Sequence, residues 1–475
     1  MTQIFKKQTA VFLAIYFGLR VFSYFFNPST PLYFANPINW LISAIILLLV
    51  VYFLLKKDER GWLIIAAELI LGGAGSFLEI KGISLRTLLL IFSLAIFAYQ
   101  TIKNKTYHIF YENKLILAFF LCLYEVVFRS ALRGYNFGHD PKLIIADTIP
   151  YLFFSYYFPL KQLLLSEKFR AVAFNMIIAA IIGNFIFTYF TLAGFSSGIF
   201  VLQDSYYHWF RDVASGKITD YNTGFFRILL NEQLLLVPLF LYLFYQQLEN
   251  KNSKNFIFII LGGLLLSILT TNITRIYLIA LAAGILCLFS LKNWKRWLIY
   301  SAGALVFFIS IFTLTNLAAT KGKNLGWEYL GLRLQSIALP QTEDSSLSRL
   351  LLLPKILEKI KLYRVIGNGL GDTVTVYSPV FKANITTPHF DWGYLEIIDE
   401  LGILGLIVWL ALIGYIIFKI KQNRGLLASI IALLVINITS PALFHVLGIV
   451  LLVYLASSYC GVELTESHQV EGSNG

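Results

Sequence analysis

Charged residues are scarce in this 475-residue sequence: they make up 13% of it, whereas hydrophobic residues make up 58%. A typical soluble domain is about one quarter charged, so an ordinary water-soluble globule is excluded. Apolar runs of roughly 18 to 22 residues recur along most of the chain, and each is long enough to cross a bilayer as a helix. The sequence therefore predicts a polytopic membrane protein.

Cysteine is also rare, with three residues and no CxxC pair. Cys122, Cys287 and Cys460 fall inside or beside apolar runs, as small core residues do, which argues against a disulfide framework or a cysteine-based metal site. No HExxH motif is present, and His389 has no second His or Cys at ligand spacing. We expect no metal and no cofactor.

No internal repeat period is visible, which disfavours a secondary transporter built from repeats with interrupted spans. The excess of 38 Lys and Arg over 26 Asp and Glu raises the question of nucleic-acid binding. These basic residues cluster in short loops on one side of the apolar runs, with roughly twice as many there as on the other side. The positive-inside rule then predicts a multi-pass protein of the cytoplasmic (inner) membrane with both termini cytoplasmic, and no nucleic-acid partner.

We predict an all-α membrane protein of about fourteen transmembrane helices, with a long helical extracytoplasmic loop before the last three spans. The predicted spans lie near 9–26, 38–55, 61–80, 84–102, 115–131, 143–165, 170–193, 228–247, 256–271, 275–291, 297–317, 393–418, 425–439 and 441–458. The predicted segments are an N-terminal bundle (1–193), an extracytoplasmic loop (194–227), transmembrane helices (228–317), a large extracytoplasmic loop (318–392), C-terminal helices (393–458) and a polar cytoplasmic tail (459–475).

The stretch TPHFDWGYLEIIDELGILGLIVWL places a histidine and several carboxylates against the start of an apolar run. With a helix beginning near Pro388 to Phe390, His389 and Glu396 share one face, separated by about 10 Å of helical rise. Gly402 and Gly405 offer a flat patch for another span. The alternative is that these carboxylates face water at the helix mouth and the histidine is an interfacial residue.

The long loop contains two further patterns. SSLSRLLLLPKILEKIKLYRV places Leu350, Leu353, Leu357 and Ile360 near one helical face, which predicts an amphipathic helix on or beside the membrane surface. GNGLGDT then predicts a tight turn that lets the backbone approach another segment or a ligand.

Three arginines are predicted at the extracytoplasmic side, where no topology signal requires them. Arg275 opens a span, Arg227 lies at the mouth of another, and Arg349 precedes the glycine turn. Each arginine taken alone is commonly a snorkelling or ion-paired residue. Together with one histidine they suit a membrane-embedded anion, because guanidinium groups bind phosphate oxygens bidentately.

Residues 220–420 resemble the O-antigen ligase and O-antigen polymerase superfamily of bacterial surface-polysaccharide enzymes. The resemblance rests on the arginine that opens a span, on the sequence around Arg349, and on the combination of His389 with YLEIIDELGILGL after a long external loop. Thr274 and Phe390 depart from the Ser before the arginine and the Asn or Ser after the histidine that are common in the family.

The resemblance implies a GT-C-like, metal-independent membrane glycosyltransferase whose donor is a polyprenyl-diphosphate-linked oligosaccharide. It implies His389 as general base and Arg275, Arg349 and Arg227 as ligands of the donor diphosphate. Glu396 could orient or polarise the imidazole only indirectly, since about 10 Å of helical rise separates the two backbones. The active site would be extracytoplasmic, and the partners would be the lipid bilayer, a flippase and a chain-length regulator.

A polymerase of surface-polysaccharide repeat units (O-antigen, capsule or exopolysaccharide) is the expected function, since fourteen spans exceed the twelve usual for the ligases. An O-antigen ligase, which transfers the finished glycan to a lipid A core or another acceptor, uses the same donor chemistry and stays an alternative. A transporter of the lipid-linked oligosaccharide ranks lower. Its polar path would use Arg20, Glu68, Glu125, Asp147 and Glu232, although Glu125 has Arg129 one turn away.

Overall fold

The computed structural model describes residues 2–26, 35–249, 256–339, 344–378 and 382–459. Helices dominate these residues. The α-helices are α1 Thr2–Phe25, α2 Ala35–Leu55, α3 Glu59–Leu71, α4 Leu85–Lys103, α5 His108–Tyr111, α6 Lys114–Asn136, α7 Pro141–Leu152, α8 Tyr157–Leu163, α9 Glu167–Ser197, α10 Ser205–Asp212, α11 Leu236–Glu249, α12 Phe256–Asn272, α13 Arg275–Cys287, α14 Trp294–Ala319, α15 Trp327–Ala338, α16 Asp344–Leu362, α17 Gly393–Ile420, α18 Arg424–Ile436 and α19 Val446–Tyr459. Short strands form three antiparallel hairpins: β1 Glu79–Ile80 with β2 Ile83–Ser84, β3 Gly216–Asp220 with β4 Phe226–Leu230, and β5 Val374–Ser378 with β6 Ala383–Thr387.

Within the described ranges, eight helices are long and apolar enough to cross a membrane: Lys7–Phe25, Asn36–Leu55, Leu85–Lys103, Lys114–Asn136, Pro141–Leu163, Glu167–Ser197, Leu291–Ala319 and Gly393–Ile420. Four shorter apolar helices are Phe256–Asn272, Arg275–Cys287, Arg424–Ile436 and Val446–Tyr459. The chain is thus a helical membrane protein, as predicted. A helix overlaps each of the fourteen predicted spans, but two of these predictions are wrong in part: α3 ends at Leu71, before β1, within 61–80, and β4 occupies the start of 228–247. Length and composition support eight crossings among the described residues, so the number fourteen stays a prediction.

The chain forms two compact units. The first contains Met1–Lys105, Gln162–Thr274 and Gly284–Glu328, and the second contains Thr106–Lys161, Arg275–Ala283 and Tyr329–Gly475. These units group the chain by packing, whereas the predicted segments follow membrane sidedness and stay predictions. The predicted tail lies, apart from Tyr459, outside the described residues.

In the first unit, α9 is the central helix and contacts α1, α3, α12 and α14. It is apolar on nearly all sides, as a helix surrounded by others requires. The predicted loop 194–227 contains α10 and β3 and reaches into β4.

In the second unit, α17 is the central helix and contacts α6, α16, α18 and α19. The predicted loop 318–392 contains α15, α16 and the β5–β6 hairpin. The face of α16 that is buried differs from the predicted apolar face: Leu352, Ile356 and Ile360 are buried, whereas Leu357 is 42% exposed. The buried face packs on Phe390 at the entrance to α17, so a contact distant in sequence determines the orientation of α16.

Candidate functional site

The segment between β6 and α17 turns the chain back on itself. The helix α17 begins at Gly393, where the span 393–418 was predicted to begin, and residues 388–392 are not helical. The helix start near Pro388 that would put His389 on a helical face is therefore wrong. Asp391 has φ +56°, a left-handed conformation that bends the chain. The Thr387 hydroxyl accepts a hydrogen bond from the backbone N–H of His389 and donates one to its carbonyl. His389 is therefore placed by a turn and not by a helical face.

The turn brings His389 and Glu396 into direct contact, which the sequence-based separation of about 10 Å did not allow. Nδ1 of His389 lies 3.2 Å from Oε1 of Glu396, and Oε2 accepts a 3.1 Å hydrogen bond from the backbone N–H of Phe390. The Glu396 side chain is 3% exposed, whereas that of His389 is 60% exposed. A buried carboxylate thus orients an accessible imidazole, whose Nε2 has no hydrogen-bond partner among the described residues.

The pKa of His389 is raised above its ordinary value. The hydrogen bond to Glu396 is the main cause, with additional attraction from the charges of Glu396, Asp147 and Asp391, while partial desolvation opposes the shift. A hydrogen bond and nearby negative charge favour the imidazolium form. The same carboxylate that orients the imidazole therefore makes it a stronger base.

Further carboxyl groups lie behind this pair, and most are buried. Asp147 accepts a 3.0 Å hydrogen bond from the backbone N–H of Gly371 and lies within hydrogen-bonding reach of Glu400. Asp399 accepts a 2.7 Å hydrogen bond from the side chain of Asn368. Among the described residues, no group of three or more His, Cys, Asp or Glu is arranged to hold a metal ion.

The glycine turn lies against a break in α17, as the prediction of a close backbone approach required. Gly402 has φ +75° and ψ +177°, which interrupts the helix. The N–H groups of Ile403 and Leu404 donate to the carbonyls of Arg364 and Val365 instead of to their own helix. The residues just before the glycine turn thus supply acceptors for the N–H groups that the break leaves without helical partners.

Gly367 allows this close approach. It has φ +77°, and a Cβ atom at this position would lie 2.3 Å from the Glu400 carbonyl oxygen. The α6 side chains Ser130 and Arg133 fasten the same region, donating to the carbonyls of Glu400 and Gly367 respectively. The loop after α16 is consequently fixed to both α6 and α17.

Arg349 lies beside the turn that holds His389 (residues 388–392). Its Nε is 3.4 Å from Oδ2 of Asp391, and its carbonyl accepts a 3.2 Å hydrogen bond from the indole N–H of Trp392. Its side chain is 28% exposed and that of Asp391 is 51% exposed. Arg349 therefore lies close to the predicted general base. It contacts Asp391 and Trp392 of the same turn and makes no direct bond to His389.

The other two predicted arginines have separate contacts. Arg275 donates to the carbonyl and the hydroxyl of Ser336 on α15, the latter at 2.7 Å. In the first unit, Arg227 donates to the Asn272 carbonyl at 2.6 Å and to the Thr274 hydroxyl at 2.7 Å. Arg227 thereby stabilises the turn between α12 and α13, a structural role that its sequence position did not reveal.

Most residues of the transporter's predicted polar path form ion pairs. Arg20 lies 2.8 Å from Glu232, Glu68 lies 3.0 Å from Arg86, and Glu125 pairs with Arg129, as its spacing predicted. Asp147 differs, because it joins the carboxyl groups behind His389. Its signal in the sequence is a single carboxylate inside an apolar run, which by itself indicates only the transporter's polar path.

The fold and this site define a helical membrane protein with an accessible histidine on a buried carboxylate. No family model, curated protein or solved structure matches the chain.

Proposed function

We propose that this protein is a membrane glycosyltransferase that joins polyprenyl-diphosphate-linked oligosaccharide repeat units into a surface polysaccharide. The observation that carries the proposal is the contact between exposed His389 and buried Glu396. It supplies an oriented base at the entrance to a membrane helix, where a lipid-linked sugar is accessible. The sequence resemblance supplies the substrate class.

In the proposed reaction, Glu396 accepts a hydrogen bond from the Nδ1–H group of neutral His389, which leaves the lone pair of Nε2 free. Nε2 takes the proton of an acceptor sugar hydroxyl while that oxygen forms a bond to the anomeric carbon of the donor. The bond from this carbon to the diphosphate oxygen breaks, and polyprenyl diphosphate leaves with the bonding electrons. Arg349 and Arg275 stabilise the charge that develops on the departing diphosphate.

The proposal includes an extracytoplasmic active site, both termini in the cytoplasm and about fourteen crossings of the inner membrane. Arg227 is the weakest of the proposed diphosphate ligands, because its guanidinium already holds the α12–α13 turn. A flippase and a chain-length regulator are proposed partners, since a polymerase needs its donor delivered to the outer face.

The test is in vitro reconstitution with purified polyprenyl-diphosphate repeat units. We expect a ladder of products that lengthens by one repeat per step, and at least about a 100-fold loss of rate in His389→Ala, as for other general bases. The matched control is His108→Ala, which removes an exposed histidine from α5. Transfer of a finished glycan to a lipid A core without ladder growth would favour the ligase. Movement of the donor across vesicles without new bonds would favour the transporter.

A further inference from the structure

The break in α17 divides the helix into two parts of different character. The 18 residues Ile403–Ile420 contain one charged residue, Lys419, and rise about 27 Å, close to the roughly 30 Å hydrocarbon thickness of a bilayer. The preceding part contains Glu396, Asp399 and Glu400, which are costly in hydrocarbon. The membrane boundary on the His389 side therefore lies near Gly402.

Residues 362–366, which we term the boundary turn, are fixed at this level by two independent contacts. The carbonyls of Arg364 and Val365 accept the first two N–H groups after the break in α17. The ring of Tyr363 lies 5.1 Å from the ring of Phe137, which immediately follows the last residue of α6. The end of α6 and the break in α17 thus both place the boundary turn at the same level relative to the membrane, near its surface.

The boundary turn exposes an apolar surface. Leu362 is 68% exposed, Val365 57% and Ile366 43%. Leu404 and Ile407, on the membrane part of α17, are 48% and 57% exposed. Because the turn is bonded to the first residues of this membrane part, its apolar side chains continue a surface that faces lipid.

We infer that the boundary turn is a lipid-contact site, with Leu362, Val365 and Ile366 inserted into the bilayer interface on the His389 side. Transfer of these apolar side chains from water to lipid is favourable, in proportion to the apolar area removed from water. Tyr363 and Arg364 are residue types that anchor at interfaces. The lipid contact predicted for a face of α16 is thereby assigned to the turn that follows it.

This inference does not depend on the proposed enzymatic activity, and its test measures lipid contact directly. In the full chain carrying Cys122→Ser, Cys287→Ser and Cys460→Ser, a polarity-sensitive fluorophore is attached to Ile366→Cys. The matched control is Glu358→Cys on α16, whose side chain is 67% exposed. Each protein is reconstituted at one copy per disc into phosphatidylcholine–phosphatidylglycerol nanodiscs. Quenching is measured with a phospholipid that carries a nitroxide near the top of its acyl chain, and with a water-soluble nickel chelate.

We expect blue-shifted emission and stronger quenching by the lipid nitroxide at position 366, and the opposite preference at position 358. Water-like emission at position 366, quenched mainly by nickel, would overturn the inference. Blue-shifted emission that neither quencher affects would mean that protein covers the turn, and would overturn it as well. The quenching experiment measures no catalysis. A protein that is inactive but is quenched by lipid at position 366 would therefore contradict the proposed function and leave the lipid-contact inference standing.

Discussion

Nδ1 of His389 lies 3.2 Å from Oε1 of Glu396 because the chain turns back before α17 begins. A helix through both residues would have kept their backbones about 10 Å apart. The turn lets a carboxylate that is nearly inaccessible to water act on an imidazole that is accessible. Orientation and basicity of His389 therefore have one common source, and removing the charge of Glu396 should change both.

Glu396→Gln should move the acid limb of the activity profile to lower pH. A general base acts in its neutral form, so activity falls as pH decreases through the raised pKa of His389. Gln removes the main stabilisation of the imidazolium, so the pKa of His389 falls and the neutral form persists at lower pH. Maximal activity should also decrease, but less than in His389→Ala.

The measurement is kcat/KM for repeat-unit transfer between pH 5 and 9. Glu358→Gln is the control, since this exposed carboxylate of α16 pairs with Lys355 and should leave the acid limb unchanged. An unchanged limb in Glu396→Gln would show that His389 is not the group that titrates in the profile.

Arg349→Lys should lower kcat/KM for the donor about 10- to 100-fold, since charge-assisted hydrogen bonds contribute about 1.5–3 kcal/mol. Lys keeps the charge but lacks the planar fork that binds two phosphate oxygens. Arg275→Lys is also expected to be impaired, but there the loss of the bonds to Ser336 contributes. If kcat/KM in Arg349→Lys equals that of the wild type, Arg349 does not bind the donor diphosphate and its role is structural.

Asp391→Asn should have the opposite effect on donor binding, because it releases Arg349 from its ion pair. An exposed ion pair contributes about 0–1 kcal/mol, so freeing Arg349 from Asp391 should decrease the donor KM by up to about fivefold. High salt should reduce the difference between this variant and the wild type. A higher KM in Asp391→Asn would indicate that Asp391 holds Arg349 in its binding position.

Sidedness is testable with cysteine labelling. Lys217→Cys on β3 and Lys323→Cys after α14 replace exposed residues in the two segments predicted to be extracytoplasmic. In the cysteine-free background, both should react with an impermeant thiol reagent in intact spheroplasts. Lys105→Cys, in a predicted cytoplasmic loop, should react only after lysis. The reverse pattern would invert the membrane topology and remove the proposed extracytoplasmic active site.

The sequence predicted most helix positions because a membrane span needs a long apolar run, and such runs are local. In the predicted spans 61–80 and 228–247 the apolar run continues through a strand, β1 or β4, which hydropathy alone does not distinguish from a helix. His389, Glu396 and Arg349 were also found locally, as polar residues next to apolar ones. The predicted span 393–418 begins where α17 begins, but the turn at residues 388–392 was missed, because Asp391 adopts a positive φ that nothing in its neighbourhood signals. Once that turn was missed, the direct contact of His389 with Glu396 was missed too.

Contacts between distant parts of the chain explain the other misses. The buried face of α16 depends on Phe390, and Asp147 reaches the site from α7, more than 200 residues before α17. The role of Arg227 depends on a turn that follows it by 45 residues. Hydrophobic periodicity carries no information about such partners.

Gly402→Ala should destabilise the second unit, whereas Gly414→Ala in the same helix should not. At Gly402, φ +75° with ψ +177° is a region that only glycine adopts readily, and a Cβ atom would lie 2.2 Å from the Val365 carbonyl oxygen. The cost of such strain is about 1–3 kcal/mol, and shifting Val365 would also weaken its bond to Leu404. At Gly414 a Cβ atom meets nothing within 4 Å, so alanine there should be neutral or stabilising.

Thermal unfolding in detergent and the rate of thiol labelling at buried Asn368→Cys measure the difference. Equal melting temperatures and equal labelling in the two variants would mean that the glycine turn does not depend on the break in α17.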